Sequence, residues 1–318
     1  PDFIAHFSSR GPVSPFYIKP DIVAPGAYIN STQNNGMYNF TSGTSFAAPH
    51  VSGAAALLLQ KNPELENHEI KSLLLTTVKP VSDAYGQKFS LHESGSGRLD
   101  IANAYNAKLI ISPTNFVINL SKDQPSIEEQ LELKLIEGNL EKIDVRFEGP
   151  KFIEFTHDIK NNNLQIGLNI VEEKYGEHEG KIFINHDKIQ YTIPVLIHHT
   201  EGSISLIQEN EKLFFEINHP DGWSFAKITI TNSKNGNSDT ISTTPDKKAS
   251  LEIYENGEYW VDAKIKINGN TSDAFNTIKI NSLSEKIEKS ELRDIPEKQI
   301  ILIVSIIVII GIVGLIIR

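Results

Sequence analysis

One stretch constrains this chain more than any other: Gly43-Thr44-Ser45-Phe46-Ala47-Ala48-Pro49-His50-Val51-Ser52-Gly53, running on into Ala54-Ala55-Ala56-Leu57-Leu58-Leu59. Its small and apolar residues predict a helix from Ser45 to about Gln60, stopping before Pro63. A glycine ahead of that helix allows a tight turn. Pro49 is expected in the first helical turn, where a missing N–H removes no bond. Ser45 then stands at the helix mouth, where unpaired N–H groups and the positive end of the dipole favour negative charge. A hydroxyl that attacks a carbonyl develops negative charge on the carbonyl oxygen and needs such a place. Ser45 is the candidate nucleophile, with Ser42, Gly43 and Thr44 as its turn. A serine that only caps a helix would need the helix end and nothing more.

Three other blocks accompany the stretch in order. Phe7-Ser8-Ser9-Arg10-Gly11-Pro12 and Lys19-Pro20-Asp21-Ile22-Val23-Ala24-Pro25-Gly26 precede it, and Gly95-Ser96-Gly97-Arg98-Leu99-Asp100 follows. Together they resemble the nucleophile region of the subtilisin-like serine proteases, the subtilase family or peptidase family S8. The resemblance covers residues 1–107. It implies an α/β fold, with this segment as the C-terminal part of a doubly wound parallel sheet. It also implies a serine endopeptidase that cuts protein or peptide substrates with an Asp-His-Ser triad.

In that family the triad order is Asp, His, Ser, with roughly 150 residues between the last two. Only 44 residues precede Ser45. Pro1 is therefore read as an internal point of a longer polypeptide. The triad Asp and His and the oxyanion asparagine are expected upstream, so the fragment alone should be inactive. The resemblance leaves room for calcium upstream, while no metal or other cofactor is expected within these residues. His50 lies more than a helical turn beyond Ser45 and is read as packing. His6, Asp2 and Asp21 match non-catalytic positions of the family. Phe46 stands where methionine is common, and a phenyl ring forms no sulfoxide. Ser42 stands where many members carry asparagine.

From Leu109 the pattern changes to alternation of apolar and polar residues, broken by turn signals. Phe116–Leu120, Gln130–Leu135, Leu164–Leu168, Gly180–Ile184 and Tyr191–Ile197 read as half-buried strands, and residues 108–200 as a β-sandwich of the immunoglobulin or fibronectin kind. Residues 201–282 repeat the style and read as a second sandwich. His198 and His199 are neighbours in a strand, so they point to opposite faces and are poor joint metal ligands; exposed or partly packed rings are expected. Residues 283–298 alternate in charge and read as a linker. Ile300 to Ile317 carries no charge, and residues 299–317 read as a transmembrane helix.

The expected architecture is thus an α/β segment, two all-β sandwich domains and one membrane helix. It would sit in the cell membrane as a single-pass protein with its catalytic and β-domains outside. A net charge of −10 and the absence of a basic patch argue against nucleic acid as a partner. The chain has no cysteine, which removes disulfides, thiolate metal sites and cysteine catalysis together. A second reading is a non-catalytic cell-surface protein, binding or structural, with a truncated or inactive protease segment.

Overall fold

Alternating apolar residues dominate the architecture. The computed structural model describes residues 3–34, 36–140 and 143–281. A short hairpin comes first, β1 (Ile29–Thr32) against β2 (Tyr38–Thr41), with Ile29 opposite Thr41. Four helices follow: α1 (Thr44–Lys61), α2 (Asn67–Thr76), α3 (Leu91–Ser94) and α4 (Ile101–Asn106). A reciprocal cap between Glu66 and Glu69 fixes the start of α2. α1 begins one residue earlier than expected, which puts Pro49 in its second turn. The Ser45 carbonyl therefore lacks its intrahelical donor.

The expected doubly wound parallel sheet does not form among the described residues. Instead, extended stretches meet through single bridges, parallel at Val23–Arg98 and antiparallel at Lys79–Arg98. Val23 N–H donates to Gly97 O at 3.0 Å, and Leu99 N–H to Val23 O at 2.8 Å. Pro20 and Pro25 bracket Ile22–Ala24 and carry no N–H, so the ladder cannot lengthen. Gly95 makes the approach possible. Its φ is 57°, and a Cβ there would lie 2.1 Å from the Pro20 carbonyl oxygen. With seventeen strands against four helices, the described chain is mostly β, and the α/β class is corrected accordingly.

Beyond the helices run β3 (Leu109–Ser112), β4 (Phe116–Ser121), β5 (Ser126–Leu135), β6 (Asp144–Glu148), β7 (Ile153–Lys160), β8 (Asn163–Ile170), β9 (Gly176–His186) and β10 (Ile189–Thr200). They form two sheets, in the orders β3-β5-β8-β7 and β4-β10-β9-β6. β4 pairs parallel with β10, placing Phe116 opposite Val195, while the other pairs are antiparallel. The two sheets share one core, to which Leu131, Leu164, Ile166, Ile184 and Ile193 contribute.

The helices belong to that same core through Ala54, Leu58, Ile70, Leu73 and Leu74. Buried Ser72 stitches α2 to β3: its hydroxyl donates to Ile111 O at 2.8 Å and accepts from Ile111 N–H at 2.9 Å. The Tyr191 hydroxyl accepts from the N–H groups of Lys108 and Leu109, each at 3.1 Å. Glu69 of α2, 2% exposed, is paired with Lys134 of β5.

β10 is buried on both faces from Tyr191 to His199. Its outer face is covered by the preceding segment, since Leu196 packs with Ile18 and Leu91. His198 and His199 do face opposite ways, but neither is exposed, at 5% and 2%. His198 Nε2 bonds the Pro15 carbonyl at 2.6 Å, and His199 Nδ1 that of Lys174 at 2.9 Å.

The remaining strands are β11 (Ser203–Glu209), β12 (Lys212–Asn218), β13 (Phe225–Asn232), β14 (Ser238–Thr243), β15 (Ala249–Glu252), β16 (Gly257–Ile267) and β17 (Asn270–Ile280). Sheets β11-β12-β15 and β14-β13-β16-β17 enclose a second core around Leu213, Ile228, Val261 and Ala274. The expected linker at 283–298 and membrane helix at 299–317 lie outside the described residues. Among the described residues no helix is long and apolar enough to cross a membrane, and the fold described includes no membrane span.

Candidate active site

Two hydrogen bonds hold the turn ahead of α1. Gly43 N–H donates to Gly26 O at 2.7 Å, and Tyr28 N–H donates to Ser42 Oγ at 2.9 Å. The Ala24-Pro25-Gly26 block and the candidate nucleophile turn therefore lie back to back. A Cβ on Gly26 would come within 2.9 Å of the Gly43 carbonyl oxygen and 3.2 Å of Ala47 Cβ. Tyr28 is held in the left-handed region, at φ 55°, beside its bond to Ser42. Phe46 N–H closes the first turn on Gly43 O at 3.0 Å.

Ser45 is the second residue of this 18-residue helix and is exposed. Its hydroxyl has no hydrogen-bond partner among the described residues. The N–H groups of Thr44 and Ser45, ahead of the one Phe46 gives to Gly43, have no intrahelical acceptor and lie at the positive end of the dipole. The turn thus presents a free hydroxyl beside donors suited to an oxyanion. Thr44, Gly43 and Ser42 contribute backbone and scaffold to this arrangement.

No base accompanies the hydroxyl among the described residues. His50 Nδ1 faces the Phe46 carbonyl of its own helix at 2.9 Å, in keeping with a packing role. His6 meets Phe7 edge-on, with centroids 5.4 Å apart. Asp21 pairs with Lys19 and, at 3.5 Å, with Lys71. Asp2 lies outside the described residues. Among the described residues no group of three or more His, Cys, Asp or Glu side chains is arranged to hold a metal.

A groove of about 550 Å³ runs beside α1, lined by Thr44, Ala47, Ala48 and Val51 on the helix and by Phe3, Phe7 and Ile22 opposite. Ser45 does not line it. α1 buries only Ala54 and Leu58, leaving Leu57 and Leu59 at 42% and 40% exposure. The hairpin β1–β2 likewise exposes Tyr38 and Phe40, at 67% and 65%. Sequence reasoning did not anticipate the hydrogen bonds that tie this turn to Gly26 and Tyr28. The glycine of the Ala-Pro-Gly block was the available signal.

Comparison with known proteins gives a family match over the first third of the chain. Residues 2–97 match the profile of the subtilase family, Peptidase_S8. The Minor extracellular protease Vpr of Bacillus subtilis is 28% identical over 215 residues, covering 61% of this chain and 27% of the relative. Subtilisin-like protease SBT1.6 of Arabidopsis thaliana is 36% identical over 135 residues, covering 35% of this chain and 18% of the relative. The PII-type proteinase of Lactococcus lactis subsp. cremoris is 37% identical over 123 residues, covering 33% and 6%. The chain thus spans about a quarter or less of the length of these relatives.

Among solved structures, the fn3 domain of human collagen alpha-1(XX) chain covers 27% of this chain at 14% identity and TM-score 0.24, too low to carry an argument. The single-pass membrane localisation expected from the sequence is corrected. Among the described residues no helix is long and apolar enough to cross a membrane, and residues 299–317 lie outside them.

Proposed function

We propose that residues 1–107 are the nucleophile-bearing part of a subtilisin-like serine endopeptidase, with Ser45 attacking the scissile carbonyl of protein or peptide substrates. The observation that carries this reading is the exposed, unpartnered Ser45 at the mouth of α1, clamped by Gly26 and Tyr28 within the segment that matches the subtilase profile. The Ser45 N–H would help hold the oxyanion. A histidine base and its orienting aspartate would come from polypeptide upstream of Pro1. Residues 108–200 and 201–282 would be β-domains that position the catalytic unit or bind substrate.

The surface of α1 supports an upstream partner segment. A helix apolar on all sides is ordinarily buried, yet this one covers only two residues. The upstream part of the peptidase unit would lie over Leu57, Leu59 and the groove beside Ala47 and Val51. Alone, the fragment would lack a base and would not turn over substrate.

The test uses the polypeptide that carries this sequence together with its upstream region. An organofluorophosphonate is expected to add once, and peptide mass spectrometry should place the adduct on Ser45. Ser45→Ala should abolish both the adduct and casein hydrolysis. No adduct in the parent, or hydrolysis surviving in S45A, would leave the non-catalytic surface protein as the better reading.

A further inference from the structure

Three parts of the chain meet at one seam. Residues 10–18 run as a strap between the two pairs of sheets. Gly11 N–H donates to the His92 carbonyl of α3 at 2.8 Å. Pro15 O accepts from His198 of β10 at 2.6 Å. Phe16 stacks on Trp260 of β16 with centroids 5.6 Å apart and meets Phe275 of β17 edge-on at 5.9 Å. Tyr17 lies 5.0 Å from the same Trp260 ring. The His198 ring is itself 5.0 Å from Phe275.

His198 is therefore a buried imidazole at the point where strap, first sheets and second sheets touch. A carbonyl only accepts, so Nε2 carries the proton and Nδ1 is the free lone pair. Nδ1 faces Glu177 of β9, with 3.9 Å to Oε2. The same carboxylate accepts from His92 Nε2 at 2.8 Å, while His92 Nδ1 is buried without a partner. From the second sheets come Asp273, paired with Lys264 at 3.1 Å, and Asp262, whose Oδ1 is buried without a partner. All but His92 border a cleft of about 530 Å³ between the two pairs of sheets.

We propose that this seam is a latch released by acid, with His198 as the group whose protonation opens it. A proton on Nδ1 places a cation in a buried site, beside His92, with Glu177 as the one carboxylate shared between them. Opening the strap from the Trp260 and Phe275 rings lets water reach the imidazolium. Burial pushes the His198 pKa below the ordinary histidine value, with the Pro15 bond and Glu177 opposing. The seam is then fully closed above about pH 6.5, and its contribution is lost as pH falls toward the folded value. None of this depends on the chemistry of Ser45.

Trp260 is a built-in reporter, since the chain has only two tryptophans. In a Trp223→Phe background, its emission should shift to the red between pH 8 and pH 5 while far-ultraviolet circular dichroism stays constant. His198→Gln keeps a donor toward Pro15 but cannot titrate, so the shift should vanish. Glu177→Gln removes the charge that lets the closed seam tolerate an imidazolium and should move the midpoint to higher pH, which keeps the proposal testable if H198Q does not fold. A parent emission that stays flat over this range, a shift that persists in H198Q, or a midpoint that E177Q leaves in place or lowers would each overturn the latch.

Discussion

Gly53 and Gly95 show how differently one residue type can be used. Gly53 sits inside α1 with no heavy atom within 4 Å of where its Cβ would stand, and glycine is a poor helix former. Gly53→Ala should stabilise this chain by about 0.5–1 kcal/mol in urea unfolding. Gly95→Ala meets a positive φ and two carbonyl oxygens, and should cost roughly 2 kcal/mol or more in the same measurement. If α1 is covered by upstream polypeptide, G53A should lose its benefit in the longer protein. At this scale the sequence was most legible where partners are local. Ser45 and its turn are spelled within a few residues. His198 was opaque, because the carbonyl it bonds lies 183 residues away.

Among the elements, α2 is tied down on both sides. Ser72 bonds β3 through donor and acceptor at once, and Glu69 reaches Lys134 on β5. The Lys134 hydrogen bond, helped by the Glu66 backbone, holds the Glu69 carboxyl below the usual carboxylate range. A depressed folded pKa adds stability above the unfolded value of about 4.3 and loses it as pH falls through the folded value. Urea midpoints at pH 6 and pH 3 should therefore differ less in Glu69→Gln than in the parent. Ile70, Leu73 and Leu74, at helical spacing, make the buried face of α2. The parallel sheet was misjudged because prolines on either side of Ile22–Ala24 limit that stretch to a bridge, a constraint that family likeness hides.

At the scale of the whole molecule, the described residues form two large cores, and their boundary does not follow the change in sequence pattern near residue 108. The helices before it and the strands β3 to β10 after it share one core, while β11 to β17 enclose another. Calorimetry at neutral pH should accordingly resolve two transitions. Leu131→Ala, at a fully buried position of the first core, should cost about 2–5 kcal/mol and lower only the transition in which α1 and α2 melt. Alternation revealed the strands but not this sharing, since it says which face is apolar and not what covers it.

β4 pairs with β10 alone, and Thr200 of β10 bonds the Leu120 carbonyl 80 residues back along the chain. On a ribosome adding roughly 5–20 residues per second, that gap lasts about 4–16 seconds. Throughout it, Phe116, Ile118 and Leu120 have been made but their partner strand has not. The first pair of sheets must wait, with one edge open, for nearly the last residues of its own sequence. Whatever shields those three side chains during synthesis governs how much of the nascent chain reaches its fold.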